Sequence, residues 1–147
     1  MKRLGLVTEL LRSQNTLALA TCCADGSPRL APLFYFPGED LRLYWFSSSS
    51  SEHARNLKRD SSAAVSIFRP TDQWKQICGV QMRGIAAVVT DRARRKVISQ
   101  AYTDYFQLGT LFQTTMLRNR LYEFQPSWLR YIDNSGRFGD KFELSLV

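Results

Sequence analysis

The sequence predicts an α+β domain, mainly β, in which an antiparallel sheet closes into a barrel or folds into a sandwich. Strand-like runs recur along the chain at regular spacing, which is typical of such sheets. Turn signals, "ADGSP" at 24–28 and "PGED" at 37–40, separate neighbouring runs. Helical patterns at the start, in the middle and after the fifth strand would flank the sheet. With 147 residues, 44% of them hydrophobic, the chain is expected to form one domain, 1–147.

The individual elements follow from the same patterns. Helices are predicted at 3–14, where leucines repeat at helical spacing, at 51–60, and from the N-cap Asp91 to about 106. A short helical turn is expected within 108–115. The predicted strands are 16–21, 29–36, 41–47, 61–68, 77–89, 120–126, 128–134 and a last one within 136–147.

Proline and glycine residues within the predicted strands indicate where the sheet has an edge, a bulge or a close backbone approach. Pro32 has no backbone N–H, so the second strand should lie at an edge of the sheet or carry a bulge. Gly79 and Gly84, in the fifth strand, indicate bulges or close backbone approach. One face of the third strand is expected to carry Leu41, Leu43 and Trp45.

A run of five serines, Ser47–Ser51, joins the third strand to the second helix. Ser49 as N-cap and Glu52 three residues later fit a capping box. The free N–H groups and the dipole at such a helix start favour an anion. His53 and Asn56 share one helix face and would add contacts to a phosphate. The alternative is a solvent-exposed capped helix without a ligand, and the pattern alone leaves both interpretations open.

Composition restricts the classes of function. The net charge of +7 and the sequence pI of about 9.7 favour anionic partners, although each basic cluster also suits an ordinary solvated surface. Three cysteines and one histidine indicate a reduced compartment and provide no zinc site. We expect a cytoplasmic protein without a membrane span, because no apolar run is long enough and the N-terminal segment lacks a signal-peptide core.

Three segments, "TLALATCCADGSPRLAPLFYF", "LRLYWFSSSSSEHARNLKRDSSAAVSIF" and "GVQMRG", resemble the pyridoxamine 5'-phosphate oxidase-like, FMN-binding split-barrel superfamily. The order of elements carries the resemblance: helix, hairpin, strand ending in hydroxyls, S-x-[KH]-x-x-[NQ] helix, strand. The tail, "YEFQPSWLRYIDNSGRFGDKFEL", is similar to a small bacterial branch of that superfamily. The resemblance implies a six-stranded split barrel that forms a homodimer, with two FMN sites at the subunit interface.

The resemblance also implies the cofactor site. Arg29 matches an arginine that reaches the flavin phosphate or ribityl chain, and the residues after it match a segment along the ring. Ser51 and His53 match a phosphate-binding element in which Glu52 replaces a basic residue. Gln81 lies near the position of a glutamine that approaches the ring. The complete set of predicted cofactor residues is Arg29, Leu30, Ala31, Pro32, Leu33, Phe34, Phe46, Ser47, Ser48, Ser51, His53, Asn56 and Gln81.

Three functions are weighed. The first is an FMN-dependent oxidoreductase or flavin reductase of unknown substrate, with no catalytic side chain and no metal assigned. It is not a true pyridoxamine 5'-phosphate oxidase, because "SGRFGDK" lacks the basic and histidine set that holds that substrate. The second is a split barrel that binds haem, with His53 as its one histidine ligand. The third, a single-stranded nucleic-acid module, is disfavoured because no RNA-recognition consensus is present. Tyr35, Trp45 and Tyr102 would line a ring pocket or, more commonly, pack in the core.

Overall fold

The computed structural model describes residues 2–146, which form one antiparallel sheet with four α-helices. None of the helices within these residues is long and apolar enough to cross a membrane. Short 3-10 helices at Glu39–Leu41 and Trp74–Gln76 connect strands. The elements are α1 (Lys2–Ser13), β1 (Thr16–Cys22), β2 (Pro28–Phe34), β3 (Phe36–Pro37), β4 (Leu43–Ser47), α2 (Glu52–Arg59), β5 (Ser62–Phe68), β6 (Cys78–Val88), α3 (Arg92–Phe106), α4 (Thr110–Leu117), β7 (Arg120–Asp133) and β8 (Lys141–Ser145).

The strands run in the order β2-β1-β5-β6-β7-β4-β3, and β8 pairs with β7 outside this path. The sheet curls strongly, so that β2 and β4 approach each other without pairing. This is an incompletely closed barrel, and we call the gap between β2 and β4 the split. The predicted α+β class with an antiparallel barrel is confirmed. Six strands of the path have five residues or more, as the resemblance implied, and β3 and β8 are additional.

The core fills the concave side of the curled sheet. Alternate residues of β1 and β5, such as Leu19 and Val65, point inward and are buried. Leu10, on the apolar face of α1, packs against them. Burying a side chain of this size stabilises the fold by about 1.5–3 kcal/mol. Tyr35, Trp45 and Tyr102 are also buried, so they pack rather than line an open ring pocket.

Several predicted elements differ from the structure, and the predicted strand 29–36 is divided into β2 and β3. The N-cap of α2 is Ser51, not Ser49, because a turn closed by Ser51 N–H donating to the Ser48 carbonyl oxygen (3.1 Å) delays the helix. The third strand begins at Leu43, because Leu41 belongs to a 3-10 helix and has a positive φ. The expected turn at 108–115 is a full helix, α4.

The separately predicted strands 120–126 and 128–134 form one long strand, β7. Its register against β6 shifts between Arg83 and Gly84, and Ser127 is the unpaired residue of the bulge. The bulge accommodates the extra residue between the two predicted strands, so the pairing with β6 continues through both. The predicted last strand corresponds to β8, although Val147 lies outside the described residues.

Two position-specific expectations are confirmed. Pro32 lies in β2, which is an edge strand and pairs only with β1. Gly84 lies where β7 approaches so closely that a Cβ atom would be 2.0 Å from the Gln125 carbonyl oxygen. A side chain at 84 therefore requires the backbone of β7 to move.

We predict that Gly84→Ala destabilises the protein by about 3 kcal/mol, because the methyl group overlaps backbone rather than a flexible side chain. Urea unfolding measures this. Gly5→Ala in α1 is the matched control, because no atom lies within 4 Å of its Cβ position and alanine favours a helix. Equal stabilities of the two variants would contradict the close approach.

Candidate functional site

The split exposes a row of backbone groups along β2. This strand pairs with β1 on one side only, and its side chains are mostly exposed, Leu30 by 74%. On an edge strand, alternate N–H and C=O groups point away from the sheet and are free to bond a ligand or another chain. The segment 30–34, predicted to lie along a flavin ring, is therefore available along its backbone edge.

The serine run is an ordered turn and not a flexible linker. The Ser50 N–H donates to Ser48 Oγ (3.2 Å), and the Ser51 hydroxyl donates to the Ser48 carbonyl oxygen (2.8 Å). Ser51 Oγ also accepts from the Ala54 N–H (3.3 Å), which caps α2. Within residues 2–146, the N–H groups of Glu52 and His53 donate no hydrogen bond. The turn thus presents hydroxyls and free backbone donors, the usual anion site of a helix start.

Arg29, at the start of β2, reaches across the split to this turn. Its Nε donates to Glu52 Oε1 at 2.8 Å. Both side chains are about half exposed, so the ion pair adds little stability. Its consequence is electrostatic, because Glu52 neutralises the arginine expected to meet a phosphate. The two residues join β2 and α2 across the mouth of the split.

His53 contributes hydrogen bonds rather than charge. Its Nε2 lies 2.8 Å from Ser47 Oγ and 3.2 Å from Ser51 Oγ. Burial lowers the pKa of His53 below its ordinary 6.5, and the nearby Glu52 carboxylate opposes this only in part. The imidazole is therefore neutral at neutral pH and offers a hydrogen bond rather than a charge to an anion.

Sequence reasoning missed Arg55. Its guanidinium donates to the Ser50 carbonyl oxygen and so brings a positive charge to the serine turn. Arg55 is exposed and forms no ion pair with any residue of 2–146. The available signal was its spacing, four residues after Ser51, which places it one helical turn from the N-cap.

Three predicted residues lie apart from the serine turn or are already engaged. Asn56 is buried, and its Nδ2 donates to Thr21 Oγ1 (3.1 Å), which anchors α2 to β1. The Phe46 ring packs on Tyr102 of α3, with ring centroids 5.1 Å apart. Gln81 is exposed on the convex face of β6 and lies opposite Ser66 of β5. A single chain therefore assembles Arg29, Ser47, Ser48, Ser51 and His53, but not the whole predicted set.

Comparison with known proteins places this geometry in a family. The family model described as pyridoxamine 5'-phosphate oxidase matches residues 6–133. The protein belongs to this family. A UPF0306 protein of Pasteurella multocida (strain Pm70) is 24% identical over 131 residues, which cover 88% of this chain and 83% of that protein.

Solved structures of other proteins share the fold. Campylobacter jejuni ChuZ aligns with a TM-score of 0.82 and 18% identity, over 98% of this chain and 59% of that one. The haem storage protein HutZ of Vibrio cholerae aligns with a TM-score of 0.67 and 17% identity, over 95% of this chain and 91% of that one. At these identities the likeness concerns the fold alone, and the ligand must be argued from this chain's own residues.

The residues at the split suit a phosphate-bearing cofactor such as FMN. Serine hydroxyls and free N–H groups accommodate a phosphate, and the edge of β2 offers hydrogen bonds to a flat ring. No cluster of three or more metal-ligating side chains occurs within residues 2–146.

We predict that stability falls on acidification below about pH 6.5 because His53 is half-buried and neutral. The unfolded chain takes up a proton near the ordinary pKa of 6.5, whereas the folded chain does so only at lower pH. The contribution of neutral His53 to stability is therefore complete above about pH 6.5 and is lost as the pH falls through the lowered pKa of the folded state. Urea midpoints at pH 7.5 and 5.5 measure this. In the His53→Gln variant, the urea midpoints at the two pH values should differ less than in the wild type. An equal difference in the two proteins would show that His53 does not cause the loss of stability.

Proposed function

We propose that this protein binds FMN in the split, as a homodimer, and acts as a flavin-dependent oxidoreductase on a substrate not yet identified. One observation carries the proposal: the edge of β2, the serine turn and the start of α2 converge at the split in a member of the pyridoxamine 5'-phosphate oxidase family. Each of these elements supplies hydrogen-bonding groups that are not used within the described chain.

The phosphate would lie on the serine turn. The N–H groups of Glu52 and His53 and the Ser48 hydroxyl would donate to its oxygens. Arg55 and Arg29 supply positive charge, the latter after partial release from Glu52. A phosphate dianion is a stronger partner for a guanidinium than one exposed carboxylate, so the exchange favours binding.

The ring would lie along the free edge of β2. Backbone N–H and C=O groups of 30–34 fix its orientation, and the apolar side chain of Leu30 shields one face from water. When bound, the flavin itself supplies hydride or electron transfer. The chain's residues hold and orient it, and no side chain is assigned a catalytic role.

FMN accounts for the site better than haem. The one histidine of the chain is His53, and its Nε2 is engaged by Ser47 and Ser51. Coordination of an iron through this atom would break both hydrogen bonds. The haem storage protein HutZ shares the fold, and the titration below distinguishes the two ligands.

The proposed dimer interface is the convex face of the sheet. Two small residues there, Ala20 and Ala64, lie opposite each other in register. The exposed apolar side chains of this face include Leu30, Phe68 (60% exposed) and Ile85 (52% exposed). Their burial would favour an interface, and a two-fold homodimer is the commonest assembly. It would bring Gln81 of one subunit toward the partner's β2.

We predict that substitutions of Arg29 and Glu52, the two partners of the ion pair, change FMN affinity in opposite directions. Arg29→Ala should weaken FMN binding by about 1–2 kcal/mol, because it removes a cation and leaves Glu52 facing the phosphate. Glu52→Gln should strengthen it by about 0.5–1 kcal/mol, because it removes an anion and releases Arg29. Titration followed by flavin fluorescence measures both.

Two controls separate phosphate recognition from general effects. Glu9→Gln removes an exposed carboxylate from α1, outside the split and the proposed interface, and should leave FMN affinity unchanged. Riboflavin, which lacks the phosphate, should respond to neither Arg29→Ala nor Glu52→Gln. No saturable FMN binding by the wild type, or a Soret band on addition of haem in its place, would overturn the proposal.

We predict that the wild type sediments as a dimer at micromolar concentration and that Ile85→Glu converts it to a monomer. The reason is the cost of burying an unpaired carboxylate in an apolar interface. Leu4→Glu, on the exposed surface of α1, is the control and should remain dimeric. A monomeric wild type would contradict the proposed dimer. A dimeric Ile85→Glu variant would place the interface elsewhere.

A further inference from the structure

A second pocket lies between α3 and α4, on the far side of β4 from the serine turn. Its volume is about 290 Å³. Phe46 forms its base, and because side chains alternate along a strand, the Phe46 ring and Ser47 Oγ lie on opposite faces of β4. The lining residues are Phe46, Arg92, Arg95, Lys96, Ser99, Gln100, Thr103, Gln113, Met116 and Leu117.

One face of α3 makes this pocket cationic. Arg92, Arg95 and Lys96 are spaced by three and one residues, so they share a face in the first turns of the helix. The positive end of the helix dipole adds to their charge. No carboxylate occurs among the lining residues. The neighbouring Arg94 differs, because it is paired with Glu123 and lines another cavity.

Arg95 is held in place without being neutralised. Its Nη2 donates to the Asn119 carbonyl oxygen at 3.0 Å. Its guanidinium lies over the Phe46 ring, 5.8 Å from the ring centre. These contacts fix its orientation but leave its positive charge available, as expected of a group that binds an anion with little ordering cost.

Ser99 provides an independent indication of a ligand. It follows Arg95 by one helical turn, and its Oγ is buried without a hydrogen-bond partner among the described residues. A buried unsatisfied hydroxyl costs about 1–3 kcal/mol, so such groups usually have a partner that is bound or solvent-derived. A polar ligand atom in the pocket would supply the missing hydrogen-bond partner of Ser99 Oγ.

The opposite wall is apolar. Met116 and Leu117 of α4 face α3 across the pocket, with Leu117 exposed. The pocket therefore has cations at one end, an unsatisfied hydroxyl in the middle and an apolar wall. A ligand that matches it has an anionic group and a compact apolar body. A volume near 300 Å³ is at the lower limit of ligand pockets, which restricts the ligand to a small molecule.

We propose that this pocket binds a small organic anion, an aryl or short alkyl carboxylate or phosphate ester, at a site separate from the split. The anionic group contacts Arg95 and Lys96, and the apolar body packs between Phe46, Met116 and Leu117. The site requires no flavin, so its test is independent of the proposed function.

The test uses the full chain with benzoate, phenyl phosphate and neutral benzyl alcohol as probes, followed by ¹H–¹⁵N chemical-shift mapping. At least one of the two anions should shift α3 and α4 resonances saturably at millimolar concentration or below, and the effective anion identifies the head group. Benzyl alcohol should bind more weakly. Equal binding of benzyl alcohol, or no saturable shift with either anion, would overturn the proposal.

Variants then locate the site. Arg92→Gln with Lys96→Gln should weaken the effective anion about five- to tenfold, because two exposed cations are lost. Leu117→Trp fills the mouth and should block binding while leaving the fold intact, since Leu117 is 73% exposed. Lys2→Gln with Lys58→Gln removes the same charge elsewhere and should have no effect. If the anion binds all of these variants equally, the pocket is not its site.

Discussion

The function proposed for this protein depends on one structural constraint: the sheet curls until β2 and β4 meet but do not pair. A closed barrel would satisfy the edge of β2 with hydrogen bonds from β4 and leave no groove. The long pairing of β6 with β7, bulged at Gly84, gives the sheet its curvature, and α1 fills the concave side. The open edge consequently brings backbone donors, a hydroxyl-rich turn and a helix start together.

The charge balance at this site depends on one carboxylate. Glu52 at the first position of α2 pairs with Arg29 and also favours a higher pKa for His53, yet burial prevails and lowers the pKa of the imidazole. Arg55 then supplies a cation that is not engaged by a carboxylate. Recognition of a phosphate would therefore depend more on N–H groups and hydroxyls than on net charge. We expect such a site to discriminate by geometry and to bind more weakly than one with several free cations.

Much of the fold was predictable from the sequence, because alternation, turn residues and helical spacing are local signals. Pro32 indicated an edge and Gly84 a close approach, and both were confirmed. Predictions failed at one local turn and at one strand pairing: the Ser48–Ser51 turn moved the N-cap to Ser51, and the bulge at Ser127 against β6 joined two strands into β7. At the site, the sequence could indicate the residue types near the serines. It could not show that Asn56 is committed to Thr21, that Arg55 reaches Ser50, or that Gln81 lies on the convex face.

The most direct test of the flavin site is a ¹H–¹⁵N chemical-shift titration with FMN and, separately, riboflavin. If FMN binds in the split, the amides of Glu52 and His53 should shift strongly with FMN and little with riboflavin, while the amides of 30–34 other than Pro32 respond to both. The reason is that only the phosphate contacts the start of α2, whereas the ring is common to both ligands. Unchanged Glu52 and His53 amides at saturating FMN, or shifts confined to α3 and α4, would contradict the account.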